Sequence, residues 1–145
     1  VTDSSAPKAV LLDTCAVIWL ANEDKLRPEA LEAIFHAGQH DGVFISPVSA
    51  WEIGLLNRRK ETQGFAFLPD PKTWFGRVMA GPAIKSAPFT PAIAIDASSL
   101  PEPLHGDPAD RLLIATARHM SIPIVTRDRK IEAYGQARHV GVILC

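Results

Sequence analysis

Cysteine is almost absent: the 145 residues hold only Cys15 and Cys145. With no metal-ligand spacing and no framework of pairs, a thiolate zinc site and a disulfide scaffold are both excluded. A reduced, cytosolic protein is the expectation. Long apolar runs are absent too. None approaches the ~20 residues of a membrane span, and no charged-then-apolar leader is visible. The sequence does not begin with Met, which suggests a trimmed chain. Neither sign of charge dominates, with 15 Lys and Arg against 16 Asp and Glu. Overall charge therefore does not advertise nucleic-acid binding, which would need a local basic patch. There is no Walker-type or Rossmann-type glycine loop, no repeat, no low-complexity tract and no linker. What is present is a 47% hydrophobic composition, enough for a core. One domain spanning 1–145 is expected, with polar residues 1–8 loosely ordered.

Read in order, strands alternate with helices. Ala9 to Leu12 is an apolar run ending at Asp13, a central buried strand. Thr14 to Ala21 continues as a short helix. Glu29 to Ala37 has apolar residues at helical spacing and stops near Gly38. Asp41-Gly42 turns the chain into a second strand, Val43 to Ile45. Ser46-Pro47 opens a helix whose apolar content is Trp51, Ile53, Leu55 and Leu56, and whose end is the basic run Asn57 to Lys60. Residues 61–70 are a loop. Asp70-Pro71 and Thr90-Pro91 repeat the cap-then-proline signal, predicting helices near 72–80 and 92–98, with a brief extended piece within 82–89. A loop over 101–106 leads to a helix over 108–120, a strand at Ile122 to Val125 and a last strand at Val140 to Leu144. The pattern is α/β, with a mostly parallel sheet between helices.

The stretch 107–128 sets the geometry. Asp107 caps its helix and Pro108 takes the first position. Helix and strand are joined by a tight connection at Ser121, so the strand runs back along a helix roughly 20 Å long. Asp110 at the helix start and Asp128 past the strand end therefore share one end of the domain. Asp13 ends the first strand, and Glu52 lies early in the helix after the second. In an open parallel sheet all four map to the carboxyl edge, where ligands bind.

Singly, each acid has an ordinary reading. Glu52 could complete a capping box with Ser49, although Pro47 starts the helix too early for that. Asp110 could complement the helix dipole, and Asp128 could cap a following turn. Asp13, directly after four core residues, needs a partner. Together, the four would repel one another unless a divalent cation joins them. An all-oxygen set favours Mg²⁺ or Mn²⁺ over zinc. Such an ion can activate water, orient a phosphodiester and stabilise the developing charge, which points to phosphate-ester hydrolysis. Arg111, Arg127, Arg129 and Lys130 could hold a nucleic-acid backbone there or be solvated surface. Thr14 and Thr126 could orient a carboxylate or a bound water, or be strand-end hydroxyls.

Other features carry less. His36 and His40 have i, i+4 spacing, but Gly38 between them makes capping the better reading. His105 precedes the acidic loop and could approach the site. Cys15 lacks the His and Asn pattern of a nucleophile. Trp19, Trp51 and Trp74 read as core or interface.

The ordered set Leu11-Leu12-Asp13-Thr14, Ser46-x-x-Ser49-x-Trp51-Glu52-Ile53, His105-Gly106-Asp107-Pro108-Ala109-Asp110-Arg111-Leu112-Leu113-Ile114-Ala115 and Val125-Thr126-x-Asp128 resembles the PIN-domain ribonucleases. Within them it is similar to the VapC toxins of type II toxin–antitoxin pairs. The resemblance covers nearly the whole chain. It implies a PIN-like α/β/α sandwich with sheet order 3-2-1-4-5. It implies a metal site on Asp13, Glu52, Asp110 and Asp128, with Thr126 in support. The implied activity is Mg²⁺- or Mn²⁺-dependent endonucleolytic cleavage of RNA. The implied partners are a VapB-like antitoxin, whose tail covers the groove, and a second copy in a homodimer. Two alternatives stay open. A non-catalytic PIN-like module would bind RNA or a protein. An aspartyl-phosphate enzyme would use Asp13 as nucleophile but wants a second acid where Cys15 stands.

Overall fold

The computed structural model describes residues 6–59, 66–104 and 106–145. Residues 1–5 of the tail expected to be loose, Lys60, residues 61–65 of the expected loop, and His105 lie outside the described residues.

Among the described residues five strands form one sheet: β1 (Ala9–Leu12), β2 (Gly42–Ile45), β3 (Ile84–Ser86), β4 (Ile124–Thr126) and β5 (Val142–Leu144). Their order is β3-β2-β1-β4-β5, and every neighbouring pair is parallel. This is the order the resemblance implied. β1 is central, and all four of its residues are buried. Its side chains alternate between faces, as a strand requires. Val10 and Leu12 join one core with Val17, Ile34 and Ile45, while Leu11 joins a second with Ile93, Leu113 and Ile131. A strand buried on both sides needs an unbroken apolar run, and Ala-Val-Leu-Leu is one.

Among the described residues seven helices cover the two faces. They are α1 (Thr14–Ala21), α2 (Pro28–Gly38), α3 (Pro47–Arg58), α4 (Pro71–Met79), α5 (Pro91–Ser98), α6 (Pro108–Met120) and α7 (Arg129–Gln136). Ser46, Asp70, Thr90 and Asp107 each cap the proline-started helix that follows, accepting a backbone N–H. Proline at that position forfeits no helical hydrogen bond, so these starts are sharp. None of the helices is long and apolar enough to cross a membrane.

Four details depart from the sequence-based expectations. β4 starts at Ile124 rather than Ile122, because Pro123 has no N–H to give the ladder. Its carbonyl still accepts from Leu11 N at 2.9 Å. The last strand starts at Val142 rather than Val140, after Arg138 turns the chain at φ 66°. Trp51 is 56% exposed and does not belong to the core; Val48, Ser49 and Ile53 supply the burial from that helix. Helix α7 was expected only as a turn. Its exposed start is basic, and just Ile131 and Tyr134 are buried, too few to show a period. The connection at Ser121 is the tight one expected, left-handed at φ 56°, with its amide bonded to Arg118 O.

α7 lies so close to β5 that a Cβ on Gly135 would stand 2.5 Å from Val142 Cγ2 and 3.0 Å from its Cβ. Gly135→Ala should therefore destabilise the fold by about 1–3 kcal/mol through overpacking. Val142→Ala in the same chain should recover part of that loss. Urea unfolding of the three variants checks this, and an unchanged midpoint for Gly135→Ala would contradict the packing described.

Candidate active site

Asp13 follows β1 directly and caps α1. Its Oδ1 accepts the amide of Ala16 at 2.8 Å. Its own amide extends the ladder to Val125 O at 3.1 Å, which sets its side chain beside the end of β4. Only 8% of the residue is exposed. Burial pushes the carboxyl up from 3.8 to about 6, against hydrogen bonds from Thr126 and Ala16; the charges of Asp110 and Glu52 push the same way as burial.

Glu52 sits in the second turn of α3. It makes no capping box, because Ser46 caps this helix by accepting from Val48 N at 3.0 Å. Instead its Oε1 accepts a short hydrogen bond from the hydroxyl of Thr14. Thr14 Oγ1 also lies 3.0 Å from Ser49 Oγ. A hydroxyl has one hydrogen, so with Thr14 donating to the carboxylate, Ser49 donates to Thr14. The buried pair Thr14 and Ser49 thus ties the start of α1 to α3 and aims Glu52. Ser49 is not among the site residues expected from sequence; its signals there are its spacing three residues before Glu52 and its place in the Ser46-x-x-Ser49-x-Trp51-Glu52 motif. Burial raises the Glu52 carboxyl, the Thr14 bond lowers it, and Asp110 and Asp107 raise it further.

Asp110 lies in the first turn of α6. Asp107 is the cap, accepting from Asp110 N at 3.0 Å. Asp128 caps α7, with Lys130 N at 2.7 Å and Ile131 N at 3.1 Å both donating to Oδ1. Thr126 is fully buried between two acids. Its Oγ1 accepts from Asp128 N at 3.0 Å, and its hydrogen goes to Asp13.

One cleft of about 250 Å³ is lined by Asp13, Thr14, Cys15, Trp19, Glu52, Asp110, Arg127 and Asp128. All four predicted acids are here, from four separate segments. The basic residues divide. Arg127 forms part of the wall, but its guanidinium is engaged: Nε donates to Cys145 O and Nη2 to Lys25 O, both at 2.7 Å, and it stacks 3.9 Å from the Trp19 ring. Arg111 turns away from the cleft and donates to Ala97 O at 2.9 Å, joining α6 to α5. Arg129 and Lys130 are exposed at the start of α7. Cys15 is no nucleophile: burial, then the charges of Asp13, Glu52 and Asp110, push its thiol up to about 12. His36 and His40 stack at 4.1 Å, and His40 Nδ1 bonds His36 O at 2.8 Å, a helix-end cap rather than a metal site.

Among the described residues no three His, Cys, Asp or Glu side chains stand close enough to hold an ion as they are. The chemistry of the donors fits a hard cation all the same. They are carboxylate oxygens only, Asp13 is buried, and the charge of Asp110 raises the carboxyls of both Asp13 and Glu52.

Residues 10–137 match the family model of the PIN domain. The chain is 33% identical over 135 residues to Ribonuclease VapC22 of Mycobacterium tuberculosis, covering 92% of this chain and 97% of that protein. The fold is also that of VapBC2 from Rickettsia felis, solved with a DNA fragment from its promoter: TM-score 0.66, 10% identity, 94% of this chain and 98% of that one. A second solved structure is M. tuberculosis VapC20, a toxin that cleaves the sarcin–ricin loop: TM-score 0.56, 16% identity, 87% and 95%.

The raised carboxyl of Asp13 has a stability consequence. Its folded value, about 6, lies above the unfolded 3.8. The native state therefore binds the extra proton between these values, and stability falls as pH rises through about 6. In metal-free buffer near pH ~7.5, Asp13→Asn should be more stable than the parent by up to roughly 3 kcal/mol, since Asn caps a helix as well as Asp. The gap should close near pH ~4. Thermal melts at both values check it, and a variant less stable at the higher value would refute the burial argument.

Proposed function

The chain belongs to the PIN-domain family, and on that premise we propose that it is the ribonuclease toxin of a type II toxin–antitoxin pair, cutting RNA within the strand with the help of Mg²⁺ or Mn²⁺. The observation that carries this reading is the single cleft onto which four segments deliver Asp13, Glu52, Asp110 and Asp128. The 33% identity to a VapC ribonuclease supports the same reading over nearly the full length of both chains.

The four carboxylates would hold the ion. When bound, it supplies a water of lowered pKa and neutralises charge developing on the phosphate. The chain's own groups prepare that chemistry. Thr126 and the Ala16 amide fix Asp13, the Thr14 hydroxyl fixes Glu52, and two α7 amides fix Asp128. Pre-organised oxygens need little rearrangement when substrate arrives. Arg129 and Lys130, exposed beside Asp128, attract the phosphate backbone. Arg127 and Arg111 act through packing, one clasping the cleft wall and the other seating α6.

A VapB-like antitoxin is the partner this reading supplies, its tail covering the cleft. A second copy of the chain is the other, and Trp51 on α3 and Ile95 on α5 are exposed apolar groups available for such contacts. A cytoplasmic location is the one this reading supplies, since its RNA substrate and antitoxin partner are found there.

Purified protein should cut RNA with Mg²⁺ or Mn²⁺ and stop when the ion is chelated. Thr126→Val, which removes an outer partner of two acids, should cost roughly 10–100-fold, and Asp13→Asn should cost more. Calorimetry should show divalent-ion binding weakened in both. Undiminished cutting by folded Asp13→Asn would sink the proposal.

A further inference from the structure

A second concave surface lies at the opposite edge of the sheet. It is a cleft of about 620 Å³ where α6 ends and where β4 and β5 begin. Arg118, Arg138 and His139 stand around it, and Ile122, Pro123 and Gly141 contribute to its floor. Among the described residues no carboxylate lines it. Asp96 on α5 lines a neighbouring cleft that Arg118 also borders.

The cleft is built rather than accidental. Arg118 Nη1 donates to His139 O at 2.5 Å, so the guanidinium is held at the rim with its other N–H groups still to offer. The His139 ring is itself packed on Tyr134 at 4.7 Å. Arg138 is carried outward on a left-handed residue, φ 66°. Gly141 lets the chain pass Pro123, where a Cβ would stand 3.2 Å from the proline Cβ. Two guanidiniums over an apolar floor suit a phosphodiester with a base or ribose laid against the floor.

We propose that this cleft is an RNA-backbone subsite, engaging the substrate roughly 20 Å from the catalytic carboxylates, the length of α6. It rests on the ribonuclease reading above. RNA is favoured over an acidic peptide because the positive charge is not confined to the cleft. Arg129 and Lys130 continue it at the other end of α7, beside Asp128. A polyanion with charge at every residue can meet both ends of that helix. The subsite makes long or folded RNA bind better than a short oligonucleotide that fills only the catalytic cleft.

The test uses the full chain with Asp13→Asn to stop cutting, and two labelled single-stranded RNAs of mixed sequence, one of about 30 nucleotides and one of about 5. Arg138→Gln and Arg118→Gln should each weaken the long RNA about tenfold, lower the slope of log affinity against log salt by about 0.7, and leave the short RNA unchanged. Backbone amide NMR shifts at Gly141 and His139 on adding the long RNA give a readout free of folding effects. Shifts at the cleft, with the parent chain cutting no RNA in Mg²⁺ or Mn²⁺, would uphold the subsite and sink the ribonuclease. Long RNA that shifts only residues around Asp13 would overturn the subsite and leave the ribonuclease standing. No shift with RNA, or shifts with poly-glutamate in its place, would also overturn it.

Discussion

The constraint on which the rest depends is the double pairing of β1. It bonds to β2 on one side and β4 on the other, in parallel, and both of its faces are covered. A strand so enclosed must be wholly apolar, and the first residue after it emerges at the carboxyl edge with little freedom. That residue is Asp13. Its backbone still belongs to the sheet while its side chain caps α1, so its position is set by the core and not by a loop. The other acids are fixed against this point: Glu52 through Thr14, and Asp128 through Thr126.

Much of this was legible in sequence because each acid stands next to a strong local signal. Asp13 ends an apolar run, Asp110 follows a cap and a proline, and Asp128 follows a β-branched strand. Parallel connectivity then sends strand ends and helix starts to one edge. The strand order came only with the family resemblance; periodicity is silent about neighbours. What was not legible depended on contacts across the chain. Helix α7 hides because charged residues dominate its exposed face and Asp128 reads equally well as a turn cap. Ser49 looked like a candidate cap, and only the approach of α1 to α3 gives it Thr14 as a partner. Arg127 and Arg111 looked like backbone binders because charge is visible in sequence, whereas the carbonyls that engage them come from residues 18 and 14 positions away.

The two ends of the sheet differ in electrostatic character. The carboxyl edge concentrates acids, and burial together with neighbouring charges raises the carboxyls of Asp13 and Glu52. The amino edge concentrates Arg118, Arg138 and His139. A net charge of -1 conceals this separation, because it sums both edges with the rest of the chain. Local arrangement decides what a surface attracts.

Cys15 lies on the wall between Asp13 and Glu52, with a thiol held at about 12 partly by the charges of those acids. With that sulfur protonated, what the cleft presents to a cation is carboxylate oxygen, which suits hard ions and not the soft ones that a thiolate draws.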